Sequence, residues 1–227
     1  MDIAVYGHYG LPLLMFPTAA ADYLEYERFE VIEALTEFID AGKIKVFSIN
    51  SINREGWLNP HEHPKHKAEW QVQYNLYVAE EVVPYIWHHC RGQLGILAAG
   101  ASLGAFHAAN QLFRRPDLFD GMLAMSGGYD IRPFLNSDYY DDNIYYNNPV
   151  DYLPGLEGSN LAHLRQKQQI HILTGQGAHE DPQASRRLSD LLHAKGIPHN
   201  LDIWGHEVPH DWPSWRAMLR HYIGERL

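Results

Sequence analysis

Apolar residues fall into two periods along this chain. Short, nearly continuous apolar runs recur at 2–6 (DIAVY), 12–16 (PLLMF), Ile44–Ile49 (IKVFSI), 94–99, 121–126 (GMLAMS), Gln169–Thr174 (QIHILT) and 200–204. Runs of this length, filled with branched and aromatic residues, predict strands, most of them buried on both faces. Between them the apolar positions step by three and four. Phe29, Ile32, Leu35, Phe38 and Ile39 form one stripe over about 27–41, which Gly42 ends. Leu76, Ala79, Val82, Val83 and Ile86 form another over about 67–88, where Pro84 predicts a kink. Leu188, Leu191 and Leu192 predict a helix over about 183–195, and Trp212, Trp215, Met218, Leu219, Tyr222 and Ile223 one over about 212–224. Strands interleaved with helices predict an α/β fold: a mostly parallel sheet of about seven strands, with helices on both faces. His8-Tyr9-Gly10 makes the first connection a tight turn, so the first strand is expected antiparallel to the second.

Composition narrows the setting. The 227 residues, 45% hydrophobic and 20% charged, suit one domain with a sizeable core. No apolar run is long enough to span a bilayer, and MDIAVYG lacks the charged and apolar parts of a secretion signal. Cys90 is the single cysteine, which rules out an intrachain disulfide and suits a reducing, cytoplasmic compartment. A formal charge of −10 disfavours nucleic-acid partners. The oligomeric state stays open, a homo-oligomer included.

The chemistry centres on 94–110, LGILAAGASLGAFHAAN. An apolar strand runs into Gly100-Ala101-Ser102-Leu103-Gly104, and a helical pattern follows at once. This is G-x-S-x-G in a strand–turn–helix context, the nucleophile elbow of α/β-hydrolases. The serine must sit at a sharp corner with its hydroxyl clear of the backbone, and the flanking positions must be tiny to let strand and helix approach. A serine hydroxyl also needs a base, an orienter for that base, and donors for a developing oxyanion.

In this fold the order is serine, acid, histidine. The acid is expected after the strand Gln169–Thr174, where Glu180 and Asp181 both qualify. The histidine is expected after the last strand, where His210 fits and His206 is its rival. His206-Glu207-Val208-Pro209-His210 also matches the zinc pattern H-E-x-x-H, but that chemistry needs both histidines one turn apart on a helix, and Pro209 interrupts the turn. His61, His63 and His66 form a second cluster, broken by Pro60 and Pro64, and read as a solvated loop beside Trp57. Neither cluster calls for a metal, and no motif calls for a cofactor. Residues 129–153 hold Tyr129, Tyr139, Tyr140, Tyr145, Tyr146 and Tyr152 among aspartates and asparagines. The chain is therefore read as a single domain over 1–227 with a Tyr-rich, lid-like insertion at about 129–160, which would crowd the pocket and favour short acyl chains.

GASLGAFHAAN followed by RRPDLFDGMLAMSGGYD, the segment VFSINSINREGW and the ending WGHEVPHDWPSW resemble the putative-esterase branch of the α/β-hydrolases. That branch contains S-formylglutathione hydrolase (esterase D), feruloyl esterases and mycolyltransferases. The resemblance implies Ser102 as nucleophile, His210 as base and, counting back from Leu188, Glu180 as acid. Most members carry Asp there, which keeps Asp181 as the alternative. It implies oxyanion donors at the N–H of Leu103 and in residues 18–20, with Ala19 the choice; Pro17-Thr18 stands where many relatives have His-Gly. The implied activity is cofactor-free hydrolysis of a small carboxylic ester through an acyl-enzyme. The alternatives are an acyltransferase of the same fold, or a catalytically silent binding protein on this scaffold.

Overall fold

The computed structural model describes residues 1–226. Seven strands form one sheet: β1 (Ile3–Tyr6), β2 (Leu11–Phe16), β3 (Ile44–Ile49), β4 (Ile96–Ala101), β5 (Phe119–Met125), β6 (Gln169–Thr174) and β7 (Asn200–Ile203). Their order is β1-β3-β2-β4-β5-β6-β7, and every neighbouring pair is parallel except β1 with β3. The fold is that of the α/β-hydrolases. β1 has the expected direction but pairs with β3 rather than with β2. The turn Gly7–Gly10 carries the chain across the lower end of β3. At Gly10, with φ +113°, a side chain would stand 2.6 Å from the Ile44 nitrogen, so only glycine lets the two backbones cross there.

Side chains alternate between the faces, as the two-residue period requires. Leu14, Phe16, Phe47, Ile49, Ala98, Met122 and Ala124 enter the core under the helices Pro64–Tyr77, Leu103–Arg114 and Pro182–Ala194. Leu13, Met15, Val46, Leu97, Ala99, Leu123 and Met125 enter the opposite core with Trp215, Met218, Leu219 and Tyr222 of the last helix, Trp212–Glu225. Both sheet faces are therefore dry, and the central strands carry few polar side chains because almost every position on them is buried, Asp120 near the start of β5 being exposed.

Two long helices are interrupted. The stripe over 27–41 folds as three short pieces, Glu25–Arg28, Val31–Ala34 and Thr36–Asp40, broken at Glu30, whose φ is +61°, and at Leu35. The helix over 67–88 starts earlier, at Pro64, and passes through a π-helical turn, Val78–Val82, just before Pro84. Proline has no N–H to return to the preceding turn, and the wider π turn absorbs that missing bond. Among the described residues no helix is long and apolar enough to cross a membrane.

Candidate active site

β4 ends at the elbow. Ser102 has φ 56° and ψ −123°, a conformation a side chain rarely adopts. The surroundings hold it there. Its N–H donates to the Met125 carbonyl at 2.9 Å, and its carbonyl accepts from the Ala105 N–H at 3.1 Å. A Cβ at Gly100 would stand 2.3 Å from the carbonyl of Gly104, and one at Gly104 would stand 2.3 Å from the carbonyl of Phe16. The elbow helix thus touches the end of β2. Leu103 opens that helix, where the first N–H groups have no acceptor within the helix.

The acid and base are brought together by two loops zipped side by side. After β6 and β7, Gln176 donates to Gly205, Gly177 to Val208, and His210 to Ala178, at 3.1, 2.9 and 2.9 Å. His179, with φ +65°, then turns the chain so that Glu180 points inward. The Glu180 side chain is 0% exposed, and its Oε2 lies 3.7 Å from Nδ1 of His210, just beyond hydrogen-bond reach of a nitrogen that has no other partner among the described residues. Ser126 Oγ donates to Oε1 at 2.5 Å and Thr174 Oγ1 to Oε2 at 3.0 Å. Burial pushes the Glu180 carboxyl up, but His210 and the two hydroxyls outweigh it and hold the group below its ordinary range. Trp215 completes the pocket: its Nε1 donates to Ser126 Oγ at 3.0 Å, and its ring packs edge-on against His210 at 5.0 Å. Ser126 follows Met125, whose carbonyl receives the Ser102 N–H, so the elbow and the acid–imidazole pair share one strand end.

Asp181 lies elsewhere. Its carboxylate caps the helix Pro182–Ala194, accepting from the N–H groups of Gln183 and Ala184 at 3.1 and 3.3 Å. His206 and Glu207 sit in a turn, so H-E-x-x-H has no helical face here.

In the loop after β2, Thr18 gives its N–H to Glu25 Oε2 at 2.8 Å and its hydroxyl to Oε1 at 2.7 Å. Within residues 18–20 this leaves the N–H groups of Ala19 and Ala20 as donors. The Ala19 carbonyl accepts from Asn53 Nδ2 at 2.9 Å and from Ser51 Oγ at 3.0 Å.

The segment after β5 folds as short helical turns rather than a bare loop, at Arg132–Phe134, Asp142–Tyr145, Pro149–Tyr152 and Leu153–Gly155. Ile131, Leu135 and Ile144 pack on Leu103 and Phe106 of the elbow helix and on Trp57. Of the six tyrosines of this segment only Tyr139 joins this cluster; Tyr129, Tyr145 and Tyr152 pack in the core under the helices, and Tyr140 and Tyr146 are exposed. The residues of this segment buried in the cluster, Ile131, Leu135 and Ile144, are aliphatic. The sequence does not mark Ser126, Thr174, Trp215, Asn53 or Glu25 as site residues, Trp215 entering only as a member of the last helix's apolar stripe. Of these only Ser126, in the Ser-Gly-Gly that ends β5, carries a local signal of a special turn, and its φ is +52°.

The sequence model of the family described as "Putative esterase" matches residues 26–224. Among curated proteins, none matches the chain. Solved structures do. A ferulic acid esterase superposes with TM-score 0.70 at 19% identity, over 95% of this chain and 83% of that one. The S-formylglutathione hydrolase FrmB from Staphylococcus aureus superposes with TM-score 0.66 at 16% identity, over 95% and 81%. MPT51 (FbpC1) from Mycobacterium tuberculosis superposes with TM-score 0.65 at 16% identity, over 98% and 91%. At these identities the likeness is one of fold.

Proposed function

The chain belongs to the putative esterase family, and from that premise we propose that it hydrolyses short-chain carboxylic esters through the triad Ser102, His210 and Glu180. The observation that carries this reading is the buried Glu180 carboxylate facing His210 Nδ1, at the same C-terminal end of the parallel strands where Ser102 is held at the elbow. A carboxylate kept ionised beside Nδ1 holds the proton on that nitrogen and leaves Nε2 as the base. Nε2 takes the Ser102 proton as Oγ attacks the ester carbonyl. The imidazolium is stabilised by Glu180 and returns the proton to the leaving alcohol. Water, activated by the same nitrogen, then attacks the acyl-enzyme, and collapse of the second tetrahedral species releases the acid and regenerates Ser102.

The N–H groups of Leu103 and Ala19 hold the oxyanion in both tetrahedral species. Each such donor contributes about 2.7–4 kcal/mol in comparable sites. The hydrocarbon surface of Ile131, Leu135 and Ile144 over Leu103 acts as the lid and limits the acyl chain. No step calls for a metal, a cofactor, a nucleic acid or a membrane.

The test is Ser102→Ala. Esterase turnover should fall by about 10⁴ or more, covalent labelling by a fluorophosphonate should disappear, and the melting temperature should hold or rise, because alanine removes no buried contact. Turnover near that of the wild type in the folded variant overturns the reading.

A further inference from the structure

An oxyanion hole works only if its donors are already in place when charge develops. Leu103 is fixed by the helix it opens. Residues 17–20 belong to no helix or strand, so other groups must hold them. Three consecutive peptide planes matter here. The Pro17–Thr18 plane carries the Thr18 N–H, which Glu25 holds at 2.8 Å. The Ala19–Ala20 plane carries the Ala19 carbonyl, which Asn53 and Ser51 hold at 2.9 and 3.0 Å. Between them lies the Thr18–Ala19 plane, which carries the Ala19 N–H. Peptide planes are rigid and joined by two soft dihedrals, so clamping both neighbours removes most of the freedom of the middle one.

Asn53 is the clamp with reach. It is 0% exposed. Its Nδ2 holds the Ala19 carbonyl, and its Oδ1 lies 2.9 Å from Nε2 of His107. His107 is fully buried on the elbow helix, five residues past Ser102, and burial pushes its pKa down to about 3. The ring is therefore neutral at working pH. An amide oxygen can only accept, so this bond assigns the imidazole proton to Nε2. His107 Nδ1 faces Gln71 Nε2 at 3.5 Å, and Gln71 Oε1 accepts from Trp57 Nε1 at 2.8 Å. A single side-chain amide thus spans the loop after β2 and the helix that begins at the nucleophile.

We propose that Asn53 is a positioning residue that locks the two oxyanion donors to each other through His107. The inference rests on the functional reading above, in which Leu103 and Ala19 supply those donors. Asn53 touches no reacting atom. Its effect is to keep the Ala19 N–H aimed while the carbonyl carbon turns tetrahedral, so it belongs to the transition state more than to the bound ester.

The test compares Asn53→Ala and Asn53→Asp with the wild type. Asp keeps the acceptor for His107 and loses the donor to Ala19. Rates are divided by the sites titrated with a fluorophosphonate, so that unfolded protein does not count. Deleting an oxyanion donor outright costs about 10²–10³ in kcat, and loosening one should cost less, about 10- to 100-fold, in both variants. KM for a short p-nitrophenyl ester should stay within about threefold, and affinity for a tetrahedral boronate should weaken in step with kcat. Generic loosening of the fold would instead lower the titrated fraction and leave kcat per site unchanged.

A kcat per site within threefold of wild type, or a change confined to KM, overturns the inference. If neither variant folds, Ser51→Ala removes the other anchor of the same carbonyl. It should cost about three- to tenfold in kcat, and no change overturns the inference. Ser102→Ala run in the same assay separates the two levels. An inactive Ser102→Ala with an unaffected Asn53→Ala removes the positioning role alone, whereas an active Ser102→Ala removes the Ser102 triad on which the inference rests.

Discussion

Glu180 and Asp181 are adjacent carboxylates with unrelated tasks, and their surroundings decide which does which. Glu180 is enclosed by His210, Ser126 and Thr174, whereas Asp181 spends one oxygen, Oδ1, on two backbone N–H groups at a helix start. Glu180→Gln therefore removes the partner of the imidazolium and permits the wrong tautomer, and the rate at pH 7–8 should fall by up to about 10⁴. Asp181→Asn keeps a good N-cap and should stay within about tenfold of wild type. Both are read by assaying the two variants side by side on one short ester; a crippled Asp181→Asn contradicts the assignment. Sequence spacing singled out Ser102, because an elbow needs its glycines, and narrowed the acid to Glu180 or Asp181 and the base to His210 or His206, because the fold fixes their order; the family resemblance chose Glu180 and His210. Spacing could not reach Ser126 or Trp215. Their hydrogen bond joins residues 89 positions apart, and only the sheet order places the end of β5 beside the last helix. Nor could it show that Thr18 spends its N–H on Glu25, which leaves only the N–H groups of Ala19 and Ala20 within residues 18–20.

The apolar periods predicted the strands and most helices well, and they failed where backbone chemistry interrupts a helix. The stripe through Phe29, Ile32, Leu35 and Phe38 is real as a pattern, but left-handed Glu30 and non-helical Leu35 break the helix twice without breaking the stripe. The β1 partner was missed for a related reason: a tight turn suggests a hairpin, and nothing local says that β3 will lie between its strands. The joint between the loop after β2 and the short helix Glu25–Arg28 makes a stability prediction. Glu25 is 5% exposed, and burial raises its carboxyl above the ordinary value even though Thr18 donates two bonds to it. A raised acid is the reverse of Glu180. Its contribution to stability is full below the unfolded pKa, ordinarily 4.5, and is lost as pH rises through the folded value. Glutamine can accept from the Thr18 N–H and donate to its hydroxyl with no charge to desolvate. Glu25→Gln should therefore melt above wild type at pH 7–8, by about 2–4 °C, which is what about 1 kcal/mol produces in a domain of this length. The difference should vanish below about pH 4, where both side chains are neutral. Thermal melts across that range decide it, and a variant that melts below wild type at pH 8 contradicts the sign.

At the scale of the molecule, three apolar clusters among the described residues divide the labour. Two lie on the faces of the sheet and hold the strand ends in register. The third joins Trp57, Leu103, Phe106, Ile131, Leu135 and Ile144, all buried, and presses the segment after β5 onto the helix that the nucleophile opens. It also bears on what the enzyme accepts. A long acyl chain leaving Ser102 over Leu103 would have to displace well-packed side chains, whereas an acetyl or butyryl group would not. Close-packed interiors do not yield space without cost; emptying such a site of a leucine side chain destabilises by about 2–5 kcal/mol, which measures how tightly the space is held. On p-nitrophenyl esters kcat/KM should therefore peak between acetyl and butyryl and drop by about tenfold or more at acyl chains of about ten carbons. Leu135→Ala cuts a gap in the same wall without touching Ser102, His210 or Glu180. It should move the optimum to longer chains while lowering the melting temperature, and the two effects together distinguish a widened pocket from a merely loosened fold. Initial rates on an ester ladder, run for both proteins, give the answer: a wild-type optimum at about ten carbons, or a Leu135→Ala profile that falls without shifting, would mean that the acyl chain leaves the elbow by another route.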